Sequence, residues 1–250
     1  MTSAPPLVEL RKVWKAFGEK PVLRGVSCVL TKGTILAVMG GSGQGKTVLL
    51  RIASGLAQPD SGEVHVFGAR FDRMSEEAML PLRRRTGFVF QGAALFDSLT
   101  VFENVAFPLR EHTRLSLGEI TDRVHHFLDL VGLPDTDGLL PAELSGGMRK
   151  RVGIARALIV EPEVVFFDEP TAGLDPTNAK LVAELIAQLR SGVCDTAIVV
   201  THDVEFAELV ADQMAILMQG QFADQGTPSE IHRSANPDVH RFLAGELREI

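Results

Sequence analysis

Eight consecutive residues, Gly40-Gly41-Ser42-Gly43-Gln44-Gly45-Lys46-Thr47, constrain the fold more than any other stretch of the chain. They lie between a short apolar run, TILAVM at 34–39, and a helix-like stretch, KTVLLRIA at 46–53. That order predicts strand, loop and helix, the unit that wraps backbone N–H groups around a phosphate chain. Glycines let the loop curl, and the following helix offers the positive end of its dipole. Lys46 reaches β- and γ-phosphate oxygens, and the Thr47 hydroxyl suits a magnesium ion. With glycine at about 7% of residues in average proteins, such a match arises by chance in roughly one chain in a hundred of this length. An α/β core is therefore expected. Buried-strand candidates at 86–90, 164–168 and 197–201, each a β-branched or aromatic run ending in polar residues, supply the rest of its sheet.

Ahead of the loop, VELRKVW and VLRGVSCVL flank a turn at 18–21, and 63–67 adds a strand, which predicts a small antiparallel lobe. From Gln91 to Ile159 the pattern is mainly helical, and ITDRVHHFLDLVGL sets Ile120, Val124, Phe127, Leu128 and Val131 on one face. Asp175 followed by Pro176 marks a helix start before Leu181, Val182, Leu185, Ile186 and Leu189 recur at helical spacing. MAILMQGQFADQG reads as a hairpin turning at Gly220, and a helical tail is expected with 238–247 as its core.

Composition excludes several classes. The 250 residues suffice for a core without staples, and two cysteines, Cys28 and Cys194, offer neither a disulfide framework nor a metal cluster, in keeping with a reducing, cytosolic setting. No stretch approaches the roughly 18 apolar residues of a membrane span, and MTSAPPLVEL lacks the features of a signal peptide. The net charge of -7 argues against a nucleic-acid partner. The basic clusters at 83–85 and 149–151 read as a solvated face or a local phosphate contact.

Two further stretches carry chemistry. VVFFDEP, at 164–170, is an apolar strand delivering Asp168 and Glu169 to its end. Strand alternation turns one carboxylate inward and one away, which suits Asp168 to a magnesium shell and Glu169 to polarising water. Alone, such a pair is more often just a strand reaching solvent, and its company with the phosphate loop is what favours the functional reading. LSGGM, at 144–148, opens a helix with Ser145 as N-cap and an apolar stripe of Met148, Val152, Ala155 and Ile159. Two glycines there also expose N–H donors to an anion, which makes a second phosphate-facing surface.

Taken together, GGSGQGKT, Gln91 after a strand, LSGGM, VVFFDEP, the loop Gly173-Leu174-Asp175, and Thr201-His202-Asp203 resemble the ordered motif set of an ATP-binding cassette (ABC) ATPase over nearly the whole chain. The resemblance implies a single ABC ATPase domain over 1–250. It has a P-loop (RecA-like) core with a small antiparallel β lobe at 1–91 and 160–235, an inserted helical lobe at 92–159 and a tail at 236–250, whose position beyond the last motif, not the resemblance, suggests that it braces a dimer. It implies ATP and Mg2+ as ligands, and Phe17 as the aromatic that stacks on adenine, against a strand-edge core aromatic on the residues alone. Gln91 senses magnesium and the attacking water, and Ser145, Gly146 and Gly147 bind the γ-phosphate held by a second copy. Asp175 crosses the interface between copies, and His202 contacts the γ-phosphate. Glu169 is the base, and Thr47, Gln91 and Asp168 serve the metal. Two positions depart from the commonest pattern: Val48 replaces a second hydroxyl, leaving only its backbone for the α-phosphate, and Met148 stands where glutamine is usual.

FQGAALFDSLTVFENVAFPLREHT at 90–113 and ELSGGMRKRVGIARAL at 143–158 resemble the ATPases of lipid-moving systems of the Mla (maintenance of lipid asymmetry) type. This implies work at the cytoplasmic face of the inner membrane with integral membrane permease subunits, a second copy of the chain and a lipid-binding partner protein. Ala94, Leu95, Phe96, Leu99, Val101 and Phe102 are divided between permease-facing surface and core. An importer of polar solutes such as amino acids is the alternative within transport. A soluble ABC ATPase of DNA repair or translation is the alternative outside it.

Overall fold

The computed structural model describes residues 6–190 and 192–246. The N-terminal stretch read for export and the end of the expected tail helix fall partly outside these residues. Two compact units emerge, Met1–Arg83 with Asp195–Ile250, and Arg84–Cys194.

The first unit begins with β1 (Val8–Phe17), whose inward Val8, Leu10 and Val13 are buried, and β2 (Lys20–Leu30), its antiparallel partner. Next come β3 (Ile35–Met39), buried at all five positions, and α1 (Lys46–Ala53). β4 (Ser61–Val66) pairs antiparallel with the free side of β1, and β5 (Ala69–Arg70) extends it, in the order β2-β1-β4-β5. This is the expected antiparallel lobe. α2 (Glu76–Arg83) follows with Pro81 inside it, which weakens its helical signal in the sequence.

In the second unit β6 (Thr86–Val89) pairs parallel with β7 (Val164–Asp168). Between them run α3 (Val101–His112), α4 (Leu117–Leu130) and α5 (Gly146–Leu158). Reciprocal capping boxes, Thr100 with Glu103 and Ser116 with Glu119, start α3 and α4. The predicted face of α4 is buried at Ile120, Val124, Phe127 and Leu128. α6 (Pro176–Leu189) completes the unit with Val182, Leu185, Ile186 and Leu189 inside, whereas Leu181, expected in that stripe, is 48% exposed because it sits at its edge.

The chain returns to the first unit with β8 (Ala197–Thr201), α7 (Val204–Val210), β9 (Gln213–Met218), β10 (Gln221–Gly226), α8 (Pro228–His232) and α9 (Pro237–Leu243). β3 lies parallel to both β8 and β9, and β10 folds back on β9 through the expected turn at Gly220. The tail helix ends at Leu243, and its Val239 and Phe242 pack with Ile231 against Ala37, Met39, Ala207, Met214 and Ile216. Burying each large side chain of this kind contributes about 1.5–3 kcal/mol.

Within the second unit the loop before α3 depends on one polar residue. Asn104 is fully buried, and its Oδ1 accepts the Phe96 N–H at 2.8 Å. Its Nδ2 donates to the carbonyls of Phe96 (3.1 Å), Leu99 (3.0 Å) and Thr100 (3.0 Å). Of the apolar residues around it, Val101 is fully buried, Ala94 and Phe96 are exposed, and Leu95, Leu99 and Phe102 are half-buried. Asn104→Ala strands these buried groups and is predicted to lower stability by about 2–4 kcal/mol. A urea midpoint equal to wild type would show that the loop holds without it.

Candidate nucleotide site

The first unit carries the phosphate loop between β3 and α1. Gly45 caps α1 with φ +100°, and a Cβ there would lie 2.9 Å from Val22 Cγ1 and 3.0 Å from the Val22 carbonyl, so only glycine fits. Lys46 is nearly buried, and its Nζ folds back to donate to the carbonyls of Gly40 (2.8 Å) and Gly41 (3.1 Å). Gln44 turns its side chain to the hairpin, where Oε1 accepts the Gln219 N–H at 2.6 Å. Its share in binding an anion therefore falls to its backbone. Ser42 and Gly43 face solvent, Thr47 and Val48 are half-buried, and Leu49, Leu50, Ile52 and Ala53 anchor the helix in the core. No acidic residue stands in the first turn of α1, so the helix dipole is not neutralised from within.

Parallel pairing sets Met39 beside Thr201. Thus the loop and His202 leave adjacent strands at the same level. Thr201 is buried and its Oγ1 accepts the Asp203 N–H at 3.0 Å, while Asp203 Oδ1 accepts the Phe206 N–H at 3.0 Å and caps α7. His202, between these two fixed residues, is exposed. Phe17, at the end of β1, is 59% exposed with Lys15 Nζ 5.6 Å from its ring centre, which rules out a core aromatic.

The second unit carries the acidic pair. All five residues of β7 are buried, and so are both Asp168 (3% exposed) and Glu169 (7%). Strand alternation does not extend across the pair as the sequence suggested. The backbone leaves extended geometry at Glu169, which adopts φ +47°, a left-handed conformation that costs a non-glycine residue about 1–3 kcal/mol. Neither does the strand simply reach solvent. Two adjacent buried carboxylates call for positive charge nearby. Among the described residues no three His, Cys, Asp or Glu side chains gather into a metal cage. The donors present fit an ion that takes few carboxylates and fills its shell with hydroxyl, phosphate and water oxygens, as magnesium does.

Gln91 follows β6 and is exposed. Ser145 caps α5 by accepting the Met148 N–H at 3.2 Å, and the first turn of α5 holds no acidic residue. Ser145 and Gly146 are exposed, whereas Gly147 is buried, and a Cβ on it would lie 2.7 Å from Asn178 Oδ1. Asn178 in turn donates to Asp175 Oδ2 at 2.6 Å, which ties the two sequence-predicted segments together. Asp175 Oδ1 also accepts the backbone N–H groups of Thr177 and Asn178, both at 3.1 Å, as the N-cap of α6. The side-chain bond from Asn178, then the backbone bonds, hold its carboxyl below the ordinary aspartate value.

Lys150 is the participant that sequence reading missed. Only 6% exposed, it donates from Nζ to the carbonyls of Gln91 and of Glu169, the latter at 3.1 Å. Burial pushes its ammonium below the usual lysine value, against the opposing pull of Glu169 and Asp168. Within the 149–151 cluster, expected to be a solvated face or a phosphate contact, Arg149 likewise bonds the Leu144 carbonyl, and Arg151 those of Val131 and Gly132. A run of cations in the sequence does not reveal which ones turn inward. The only hint was that the position shares a helix with the predicted stripe.

Comparison with known proteins identifies the family. The family model described as ABC transporter matches residues 23–172. Protein TRIGALACTOSYLDIACYLGLYCEROL 3 of Arabidopsis thaliana is 42% identical over 96% of this chain and 74% of its own length. The intermembrane phospholipid transport system ATP-binding protein MlaF of Escherichia coli is 38% identical over 97% and 90%. A methionine import ATP-binding protein, MetN of Brucella abortus, is 39% identical over 94% and 63%. A dimeric ATP-binding cassette solved in a post-hydrolysis state with ADP and Pi superposes with a TM-score of 0.81 at 31% identity, covering 88% of this chain and 98% of that one.

The depressed Asp175 carboxyl predicts a pH effect with a definite sign. Because its folded value lies below the unfolded one of about 3.9, its contribution is complete at neutral pH and fades as pH falls through the folded value. The stability gap between wild type and Asp175→Ala should be constant from pH 6 to 8 and close below about pH 4. A gap that widened in acid would contradict this.

Proposed function

The chain belongs to the ABC transporter family and is an ATP hydrolase, and from there we propose that it drives a complex moving phospholipid, or a related hydrophobic substrate, between membranes. The similarity to the phospholipid transport ATP-binding protein, nearly end to end, carries the lipid reading.

In this reading the backbone of Gly40, Gly41, Ser42, Gly43, Gln44, Gly45, Lys46, Thr47 and Val48 cradles the phosphates, and Lys46 balances their charge. Lys46 exchanges its present bonds to Gly40 and Gly41 for phosphate oxygens, a change that needs only a rotation of a flexible side chain. Phe17 offers its exposed ring to adenine. Thr47, Gln91 and Asp168 are the residues that would hold Mg2+, which when bound neutralises phosphate charge. Glu169 accepts a proton from the attacking water. His202, exposed on a braced turn, contacts the γ-phosphate. Ser145, Gly146 and Gly147 of a second copy present N–H donors to that phosphate, and Asp175 lies at the interface between copies. Phosphate charge thus supplies the differential affinity that a closing switch requires.

No helix among the described residues is long and apolar enough to cross a membrane, so the transport path belongs to partners: integral permease subunits and a lipid-binding protein, with this chain at the cytoplasmic face of the inner membrane. The exposed Ala94 and Phe96, with the half-buried Leu95, Leu99 and Phe102, form the permease-facing surface. The match to a methionine import protein favours, as a second reading, an importer of polar solutes.

Affinity purification from detergent-solubilised membranes, with mass spectrometry of proteins and lipids, separates the two. A permease with a lipid-binding protein and bound phospholipid is the expected result. A permease accompanied by a soluble solute-binding protein would replace the lipid reading with the importer.

A further inference from the structure

Two cations of helix α5 bond backbone carbonyls of two neighbouring segments. Lys150 reaches the carbonyls of Gln91 and Glu169. Less than two turns later, Arg156 donates to the carbonyls of Ala93 (2.7 Å) and Ala94 (2.8 Å). The segments so held are strained: Ala93, Ala94 and Glu169 have φ of +62°, +48° and +47°. Non-glycine residues keep such conformations only where their surroundings impose them. At Glu169 the carbonyl accepts from the Lys150 ammonium at 3.1 Å and from the Ala172 N–H at 3.2 Å, and of the two donors Lys150 is the one that reaches in from another element. Holding that oxygen orients the peptide plane after Glu169, and with it the direction of its Cα–Cβ bond.

We infer that Lys150 is a positioning residue for hydrolysis: its ammonium, bonded to both carbonyls, keeps the Glu169 side chain aimed and in register with the loop that starts at Gln91. A lysine suits this place because its compact ammonium carries three donors and can serve two carbonyls at once. The inference rests on the reading of Glu169 as the base.

The test compares wild type, Lys150→Met and Lys150→Arg as full chains. It measures steady-state turnover of MgATP, the dissociation constant of a non-hydrolysable ATP analogue, and amide hydrogen exchange. Lys150→Met should lower kcat about tenfold to a hundredfold, as small misplacements of catalytic groups do, while changing analogue affinity by less than about threefold. Exchange should quicken at 91–94 and 169–172 and stay unchanged in β3 and α1. Lys150→Arg, which still supplies donors, should recover most of kcat. If Lys150→Met does not fold, Lys150→Gln, which keeps an N–H2 donor, takes its place in the same comparison. An unchanged kcat overturns the inference, as does a parallel loss of kcat, affinity and protection throughout the chain. Glu169→Gln is assayed alongside: if it turns over at the wild-type rate, the base assignment itself falls, whatever Lys150 does.

Discussion

The burial of two adjacent carboxylates at the end of a wholly apolar strand is the constraint around which the second unit is organised. Asp168 and Glu169 are held at 3% and 7% exposure, and like charges kept so close together out of water need compensation. The chain provides a buried lysine whose ammonium lies within electrostatic reach of both. It also departs from strand geometry at Glu169, which keeps both side chains inside where alternation would have parted them. The first unit meets the complementary requirement. A loop of glycines, a helix start free of acids and a nearly buried lysine concentrate positive potential for an anion.

Much of this was legible in the sequence, for reasons that differ from element to element. The phosphate loop declared itself because backbone geometry and anion chemistry both restrict the residues allowed, as the contact of Gly45 with Val22 illustrates. The N-caps Ser145 and Asp175 and the hairpin at Gly220 were legible because caps and turns depend on local residues. The exposed ring of Phe17 came from resemblance; by local pattern it read equally as a core aromatic.

Other features depend on tertiary context. The left-handed Glu169 could not be inferred from a strand pattern, because nothing in VVFFDEP announces where extended geometry stops. Lys150 sits in a run of three cations that reads as surface, and only folding decides that all three turn to backbone carbonyls. Asn104, an ordinary polar residue in the sequence, becomes the buried centre that closes the loop ahead of α3. At the same junction apolar side chains divide between core and surface: Val101, the first residue of α3, is inside and Phe96, in the loop before it, is outside, a split that helical periodicity does not resolve because the pattern crosses from loop to helix.

The central claim, that Glu169 is the base of an ATP-sandwich cycle in which two copies close on the nucleotide, is tested most directly by light scattering of Glu169→Gln with MgATP and with MgADP. A stable species of twice the monomer mass is expected with MgATP, reverting to monomer with MgADP. A variant that stayed monomeric with MgATP, or that dimerised equally with both nucleotides, would contradict it.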